Sequence, residues 1–131
     1  VQVAGTGRWV KIAAGHDHAG GIKSDGSLWM WGINYVGNLG TGNTTSTSTP
    51  VQVGTDTNWK EVRCGYSFTH ALKTDGTLWA WGKNQFGYLA NGNTVNYSSP
   101  IQVGSLTNWK QVTNGFSFLV ATQSQEYVWN Q

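Results

Sequence analysis

Two histidines flank an aspartate near the start of the chain, in the segment His16-Asp17-His18. Imidazole and carboxylate groups are ligands that zinc accepts, so this segment is the first candidate for a metal site. Adjacent strand residues, however, point to opposite faces of a sheet. Positions 66 and 68, which match 16 and 18 later in the chain, hold no histidine. We therefore favour packed or turn histidines and expect no metal.

A thiol near an imidazole is the second arrangement that could do chemistry, here as Cys64 with His70. Such a pair can form an activated nucleophile. Cys64 is the only cysteine, so no disulfide can form within the chain and the redox compartment stays undetermined. The positions that match Cys64 elsewhere, 14 and 114, hold Ala and Asn. Cys64 is therefore predicted to be a core residue and not a nucleophile.

The remaining candidates for catalysis are weak. The Gly37–Gly42 segment lacks the Lys-Ser/Thr ending of a phosphate-binding loop, which favours a tight loop. No pair of carboxylates suited to acid–base catalysis is recognisable, because two of the six stand in Asp-Gly turns and the others are isolated. Those others are Asp17, Asp56, Glu61 and Glu126. We expect no catalytic residue, no cofactor and no enzyme.

Composition narrows the class of protein. Of 131 residues, 11% are charged and 38% are hydrophobic, which is typical of a folded, soluble domain. The eight basic residues are scattered along the sequence, so we expect no nucleic-acid partner. No apolar run of membrane-spanning length is present, so we expect no membrane insertion. The 18 Gly and 8 Trp indicate short strands joined by turns, an all-β protein.

The elements that must position these residues repeat along the chain. SDGSLWMWG at 24–32 returns as TDGTLWAWG at 74–82, and the agreement continues through repeats 1–50, 51–100 and 101–131, the last of which is short. We expect the three repeats to form a single segment of one domain, residues 1–131. We predict structural roles for the repeated positions, which are Trp9, Trp59, Trp109, Trp29, Trp79, Trp129, Asp25, Gly26, Asp75 and Gly76.

The middle repeat shows the predicted elements. Strands are expected at 59–65, 68–73 and 78–81, followed by a long loop at 83–99 and an outer strand that Pro100 opens. Asp75-Gly76 predicts a two-residue type I′ hairpin turn. Gln125-Glu126 at the matching place in the third repeat is not expected to form that turn. Four antiparallel strands per repeat are the sequence signature of β-propeller blades.

The repeated residues also carry a resemblance to a known family. The patterns are W-x-x-V-x-x-G, then A-L-K-x-D-G-T-L-W-x-W-G-x-N-x-x-G-x-L, then P-x-Q-V. They resemble the regulator of chromosome condensation repeat family over essentially the whole chain. The third copy departs from the pattern, and position 90 holds Ala where position 40 holds the family's glycine.

The resemblance implies a β-propeller, usually closed from about seven blades, that serves as a platform for binding macromolecules. Its members include a nucleotide exchange factor for a small GTPase, a β-lactamase inhibitor, and bacterial and viral proteins of unknown role. We expect a non-catalytic scaffold for assembly or protein–protein interaction. The alternative is a recognition module whose loops bind a glycan or a protein, and nucleotide exchange is more distant. An extracellular, cell-surface or virion-associated location is preferred to the cytoplasm.

Binding residues are expected in the least repeated segments, the loops at 33–49 and 83–99. Tyr35, Tyr88 and Tyr97 are the candidates, because a partly exposed amphipathic ring favours protein or sugar contacts. Phe86, Leu39 and Leu89 are instead expected to pin their loops to the blade.

The strand count predicts how the chain could close. Val1, Gln2 and Val3 match the outer strand that the third repeat lacks, so the chain holds three blades' worth of strands. Two copies would supply six blades, each closure strand completing the last blade of its partner. The competing expectation is that the missing blades belong to a longer propeller.

Overall fold

All regular structure in the described part of the chain is β-strand, as the all-β prediction requires. The computed structural model describes residues 7–114 and 119–123. No helix long and apolar enough to cross a membrane occurs there. Ten strands are formed: β1 (Trp9–Ala14), β2 (His18–Lys23), β3 (Leu28–Gly32), β4 (Thr47–Gln52), β5 (Trp59–Cys64), β6 (Phe68–Lys73), β7 (Leu78–Gly82), β8 (Tyr97–Gln102), β9 (Trp109–Asn114) and β10 (Leu119–Gln123).

The strands form antiparallel sheets in chain order, which confirms the predicted blades. We call β1–β4 blade 1 and β5–β8 blade 2. Strands β9 and β10 pair with each other as β1 and β2 do, so they begin a third blade. The predictions for the closure strand Val1 to Val3, for Gln125-Glu126 and for Trp129 lie outside the described residues.

The outer strand of each blade begins earlier than predicted. Strand β8 starts at Tyr97, so Pro100 lies inside the strand and does not open it. Among the described strands it pairs with β7 alone, and its register shifts between the positions opposite Ala80 and Gly82. Proline is tolerated because an edge strand leaves its outward N–H positions without ladder partners. Strand β4 contains Pro50 in the same way.

The hairpin turn differs from the predicted type I′ turn. The Gly76 N–H donates to the Lys73 carbonyl at 3.0 Å, and within the turn only Gly76 has a positive φ, 85°. This is a three-residue loop, a type I turn followed by a left-handed glycine. Asp75 stays right-handed because its Oδ1 accepts hydrogen bonds from the Thr77 N–H at 3.1 Å and hydroxyl at 2.6 Å. Asp25, Gly26 and Ser27 repeat the arrangement in blade 1.

The core lies between blades and not within one. Alternate residues of β7 point to opposite faces of the sheet. Trp81 packs in one cluster with residues of blade 1, including Leu28 and Met30. Leu78 and Ala80 pack in a second cluster with Val112 of β9. Each blade is therefore stabilised mainly by its neighbours.

One face of blade 1 is more exposed than the equivalent face of blade 2. Ile12 in β1 is 60% exposed, whereas Val62, its counterpart in β5, is fully buried against blade 1. Trp31 is half-buried, whereas its counterpart Trp81 is fully buried. This face of blade 1 therefore carries the residues of a blade interface, but no described blade packs against it.

Candidate interaction surface

The long loops between the third and fourth strands of each blade are built around a buried asparagine. Asn84 Nδ2 donates to the carbonyls of Asn93 and Val95, both at 3.0 Å, and Asn84 Oδ1 accepts from the Leu89 N–H at 3.0 Å. Asn34 makes the matching bonds in blade 1. Because these bonds satisfy backbone groups inside the loop, they hold its exposed residues in fixed positions.

The three candidate tyrosines of these loops differ in exposure. Tyr35 is 76% exposed, but Tyr88 and Tyr97 are half-buried. The Tyr97 hydroxyl accepts a hydrogen bond from Asn93 Nδ2 at 3.0 Å, and its ring packs against both clusters. Whether any of the three tyrosines binds a partner stays a prediction.

The expectation that Phe86 pins its loop is wrong, although Leu39 and Leu89 are fully buried as expected. Phe86 is 66% exposed, with its ring centroid 5.6 Å from that of Tyr88. The buried side chains of Asn84 and Leu89 already fill the interior of the loop, so Phe86 lies on its outside.

Aromatic side chains and one lysine meet across the junction of the two blades. The His16 and Tyr66 rings stack with centroids 4.0 Å apart. Lys83 Nζ lies 5.8 Å from the Tyr66 ring and 5.7 Å from the Phe86 ring. We call these residues and Tyr88, which contacts Phe86, the aromatic patch.

Two glycines bring this patch together. A Cβ on Gly15 would lie 2.3 Å from the Gly65 carbonyl oxygen, so only glycine lets the β1–β2 and β5–β6 turns approach so closely. The His16 N–H then donates to that carbonyl at 3.3 Å. Sequence reasoning missed the His16–Tyr66 pair. The available signal was that both residues directly follow the repeated glycine.

The His16-Asp17-His18 segment does not converge on one site. His18 is buried, with Nδ1 3.3 Å from Asp17 Oδ1 and Nε2 2.9 Å from Thr69 Oγ1. Burial lowers the pKa of His18, partly offset by the Asp17 carboxylate. This Asp-His-Thr order resembles a catalytic relay, but Thr69 is fully buried and its hydroxyl donates to the Asn38 carbonyl at 2.8 Å. Since a substrate cannot reach Thr69, the relay instead ties blade 1 to blade 2.

Cys64 and His70 lie on opposite faces of blade 2. Cys64 is opposite Thr69 and belongs to the cluster shared with blade 1, whereas His70 is opposite Arg63 and contacts Phe68 on the other face. Burial raises the pKa of the Cys64 thiol to about 12 and lowers that of His70 to about 3. The two therefore form no nucleophile pair, and Cys64 has the predicted core position.

The repeated tryptophans of blades 1 and 2 pack around a buried lysine. Lys73 Nζ lies 4.8 Å from the Trp59 ring and 4.4 Å from the Trp79 ring, and 2.6 Å from Asp56 Oδ2. Lys23 occupies the same place between Trp9 and Trp29. These cation–π contacts, together with burial of the rings, hold the repeated tryptophans in position in the blade.

Folding brings together lysines that are separate in the sequence. Lys60, Lys73 and Lys110 line a cleft of about 270 Å³ between blade 2 and β9, which also contains Asp75. Over residues 7–114 and 119–123, no three side chains of the kinds that bind metals form a cluster.

Two family models of one repeat family match the chain. Both are of the regulator of chromosome condensation (RCC1) repeat. One matches residues 25–72 and 75–122, and the other matches residues 9–38 and 59–87. No curated protein sequence matches the chain.

Solved structures share the fold at low sequence identity. Human WBSCR16 is 24% identical, with a TM-score of 0.83 over 95% of this chain and 33% of its own. Prp20p from Saccharomyces cerevisiae, characterised for its binding to Gsp1p and histones, is 17% identical, with a TM-score of 0.82 over 96% of this chain and 34% of its own. Yeast RCC1 (Prp20), solved with Kap60, is 18% identical, with a TM-score of 0.83 over 96% of this chain and 32% of its own.

The chain thus spans about a third of the length of these solved proteins. The likeness to them shows a β-propeller fold. Because one family model matches more than half of its residues, the chain belongs to the regulator of chromosome condensation (RCC1) repeat family.

Proposed function

We propose that the chain is a non-catalytic propeller scaffold that joins further blades and binds protein. The observation that carries the proposal is the difference between the two equivalent faces of blades 1 and 2. Val62 is fully buried where blade 2 packs on blade 1, whereas Ile12 at the same place in blade 1 is 60% exposed. Since the equivalent face of blade 2 packs against a blade, the exposed apolar face of blade 1 favours another blade as its partner.

The hydrogen bonds at the junctions support the same partner. The Trp59 N–H donates to the Gly26 carbonyl, and the Trp109 N–H donates to the Gly76 carbonyl, both at 3.1 Å. Trp9 is the matching residue of blade 1, and no described residue accepts its N–H in this way. A further blade with an Asp-Gly turn would supply that carbonyl, either from a second copy or from more of the same propeller.

Relatives support a protein-binding role in general terms. Prp20p binds Gsp1p and histones, and yeast RCC1 forms a complex with Kap60. At 17% and 18% identity these proteins share the fold but do not identify a partner for this chain. Nucleotide exchange is therefore a distant alternative that no described residue favours.

A photo-cross-linker tests the proposed blade contact. We would replace Ile12 by p-benzoylphenylalanine in the native protein and identify linked peptides by mass spectrometry. Val62 shares a cluster with Leu28 and Met30 of the neighbouring blade. Position 12 should therefore link to a Leu-Trp-x-Trp-Gly strand of another blade.

Ser48 on the exposed outer strand β4 is the matched control position. The same replacement there should give no such peptide. A position 12 that links to no blade peptide, or that labels no more than position 48, would contradict the proposal.

Loop-mediated recognition is the second candidate. It is favoured by the exposed rings of Tyr35 and Phe86, which contribute little to the core. This role is compatible with a scaffold, because a propeller presents its loops at the ends of rigid blades.

A further inference from the structure

We infer that the aromatic patch of His16, Tyr66, Lys83, Phe86 and Tyr88 is a docking site for a protein segment that carries a carboxylate beside a large apolar side chain. The inference rests on the proposed scaffold function and adds the site and the chemistry of its partner.

The repeat does not require these residues. Position 36 of blade 1 holds Val where blade 2 has Phe86, and position 33 holds Ile where blade 2 has Lys83. Both blades nevertheless form the same strands and the same buried-asparagine loops. A side chain that the blade does not need, and that stays 66% exposed as Phe86 does, favours a surface role.

The patch is held in place before any partner arrives. The Tyr88 ring contacts Phe86 on one side and the fully buried Phe68 on the other, with a centroid distance of 5.1 Å to Phe68. Asn84 fixes the same loop from inside. A site that is already ordered loses less conformational entropy on binding. Tyrosine and other aromatic side chains are also the groups that dominate protein–protein binding energy.

Charge selects the partner. Lys83 is the lysine of the patch, and its ammonium group contacts rings and no carboxylate among the described residues. The nearby Asp17 has both oxygens engaged, one with His18 and the other with the Ser67 hydroxyl at 3.1 Å. A carboxylate of a partner would therefore meet an available cation, beside rings that accept an apolar side chain.

The same observations favour a protein segment over a glycan. Pairing with the Lys83 ammonium group favours an anionic partner, and a neutral glycan has no charged group to offer it. A lysine beside exposed aromatic rings instead matches an acidic group next to an apolar anchor. Glycan binding is therefore an outcome that would oppose the inference.

Selection of a random peptide library displayed on phage tests the site. On the native protein, enriched peptides should carry Asp or Glu within two positions of Trp, Phe or Leu. Synthetic copies of those peptides should bind at least tenfold more weakly to Lys83→Glu and to Phe86→Ala. Their affinity should also fall on raising NaCl from 50 to 500 mM, because the contact includes an ion pair.

Val95→Ala is the matched control, because Val95 is 57% exposed in the same loop as Phe86 and is not one of the patch residues. It should leave peptide affinity unchanged, and the Phe86→Ala and Val95→Ala variants should both keep the melting temperature of the native protein. Enriched peptides that bind the Lys83 and Phe86 variants as tightly as native protein would overturn the site but leave the scaffold function standing.

Two other results would overturn the inference. One is the absence of any enriched peptide, and the other is binding on a glycan array that Phe86→Ala abolishes. The cross-linking at position 12 is independent of all these results, so failure of the blade contact can be told apart from failure of this site.

Discussion

At the scale of single residues, a short chain of hydrogen bonds explains why Asp, a hydroxyl residue and Trp recur together. Asp75 Oδ1 accepts from the Thr77 hydroxyl, which accepts from Trp79 Nε1 at 2.7 Å. Asp25, Ser27 and Trp29 form the same chain. The turn thereby orients the indole ring, and the hydroxyl between the carboxylate and the indole can come from either Ser or Thr.

Thr77→Val should lower the free energy of unfolding by about 2 kcal/mol, because Trp79 Nε1 and Asp75 Oδ1 each lose a partner. Thr77→Ser keeps the hydroxyl, as Ser27 does in blade 1, and should lose only about 0.8 kcal/mol for the buried methyl group. Urea denaturation measures both values. The indole N–H of Trp79 should exchange with solvent faster only in the valine variant, and equal exchange in both variants would refute the role of the hydroxyl.

His70 makes the stability of the protein depend on pH. Its folded-state pKa is lowered from 6.5 to about 3 by burial, so the folded protein keeps it neutral while the unfolded chain binds a proton below pH 6.5. The unfolded state then binds more protons, and stability falls as pH falls between 6.5 and about 3. The slope from this residue should be about 1.4 kcal/mol per pH unit.

Replacing His70 by Val, the residue at the matching position 120, removes this contribution. Denaturation at pH 7, 5.5 and 4.5 should show a shallower loss of stability for His70→Val than for the native protein. Parallel curves for the two proteins would mean that His70 is protonated in the folded state.

At the scale of elements, glycines set how one blade meets the next. A Cβ on Gly40 would lie 2.7 Å from the indole nitrogen of Trp81 in the next blade, so this position needs glycine. Ala90 takes the matching place in blade 2, with φ 60°. In the sequence, the position that corresponds to Trp81 one repeat later holds Gln131, which has no aromatic ring.

Gly76→Ala should destabilise the protein more than Gly92→Ala. Both glycines have a similar positive φ, 85° and 89°, so both variants carry a backbone cost of about 1–2 kcal/mol. A Cβ at Gly76 would also lie 1.8 Å from the Thr107 carbonyl oxygen, whereas nothing lies within 4 Å of one at Gly92. Forcing the blades apart should cost about 2 kcal/mol more. Equal losses in thermal denaturation would show that the turn does not lock onto the next blade.

The elements were predictable where the sequence repeats. Strand β6 has the predicted bounds, and the blade order follows from the 50-residue period. The turn type was not predictable from Asp-Gly alone, because the Asp75 side chain bonds to Thr77 and removes the need for a second left-handed residue. The start of β8 was missed because proline was treated as a boundary, although an edge strand accommodates it.

At the scale of the whole molecule, the repeats predict the scaffold but not the surface on it. The aromatic patch joins His16 of blade 1 to Tyr66 of blade 2, and nothing in the period indicates that their rings meet. The patch residues also differ between repeats, so the repeat pattern does not identify them. Prediction of such a site requires the distance between blades, which the Gly15–Gly65 contact sets.

The central claim is that neighbouring blades lock into one rigid unit through the turn-to-strand hydrogen bonds. Hydrogen exchange of the Trp59 amide, which donates to Gly26, measures this lock directly. If the claim is right, the Trp59 amide exchanges only with global unfolding, with the same free energy as the Ala71 amide in the buried centre of blade 2. Exchange of Trp59 as fast as that of exposed loop amides would mean that the blades separate independently, and would contradict the account.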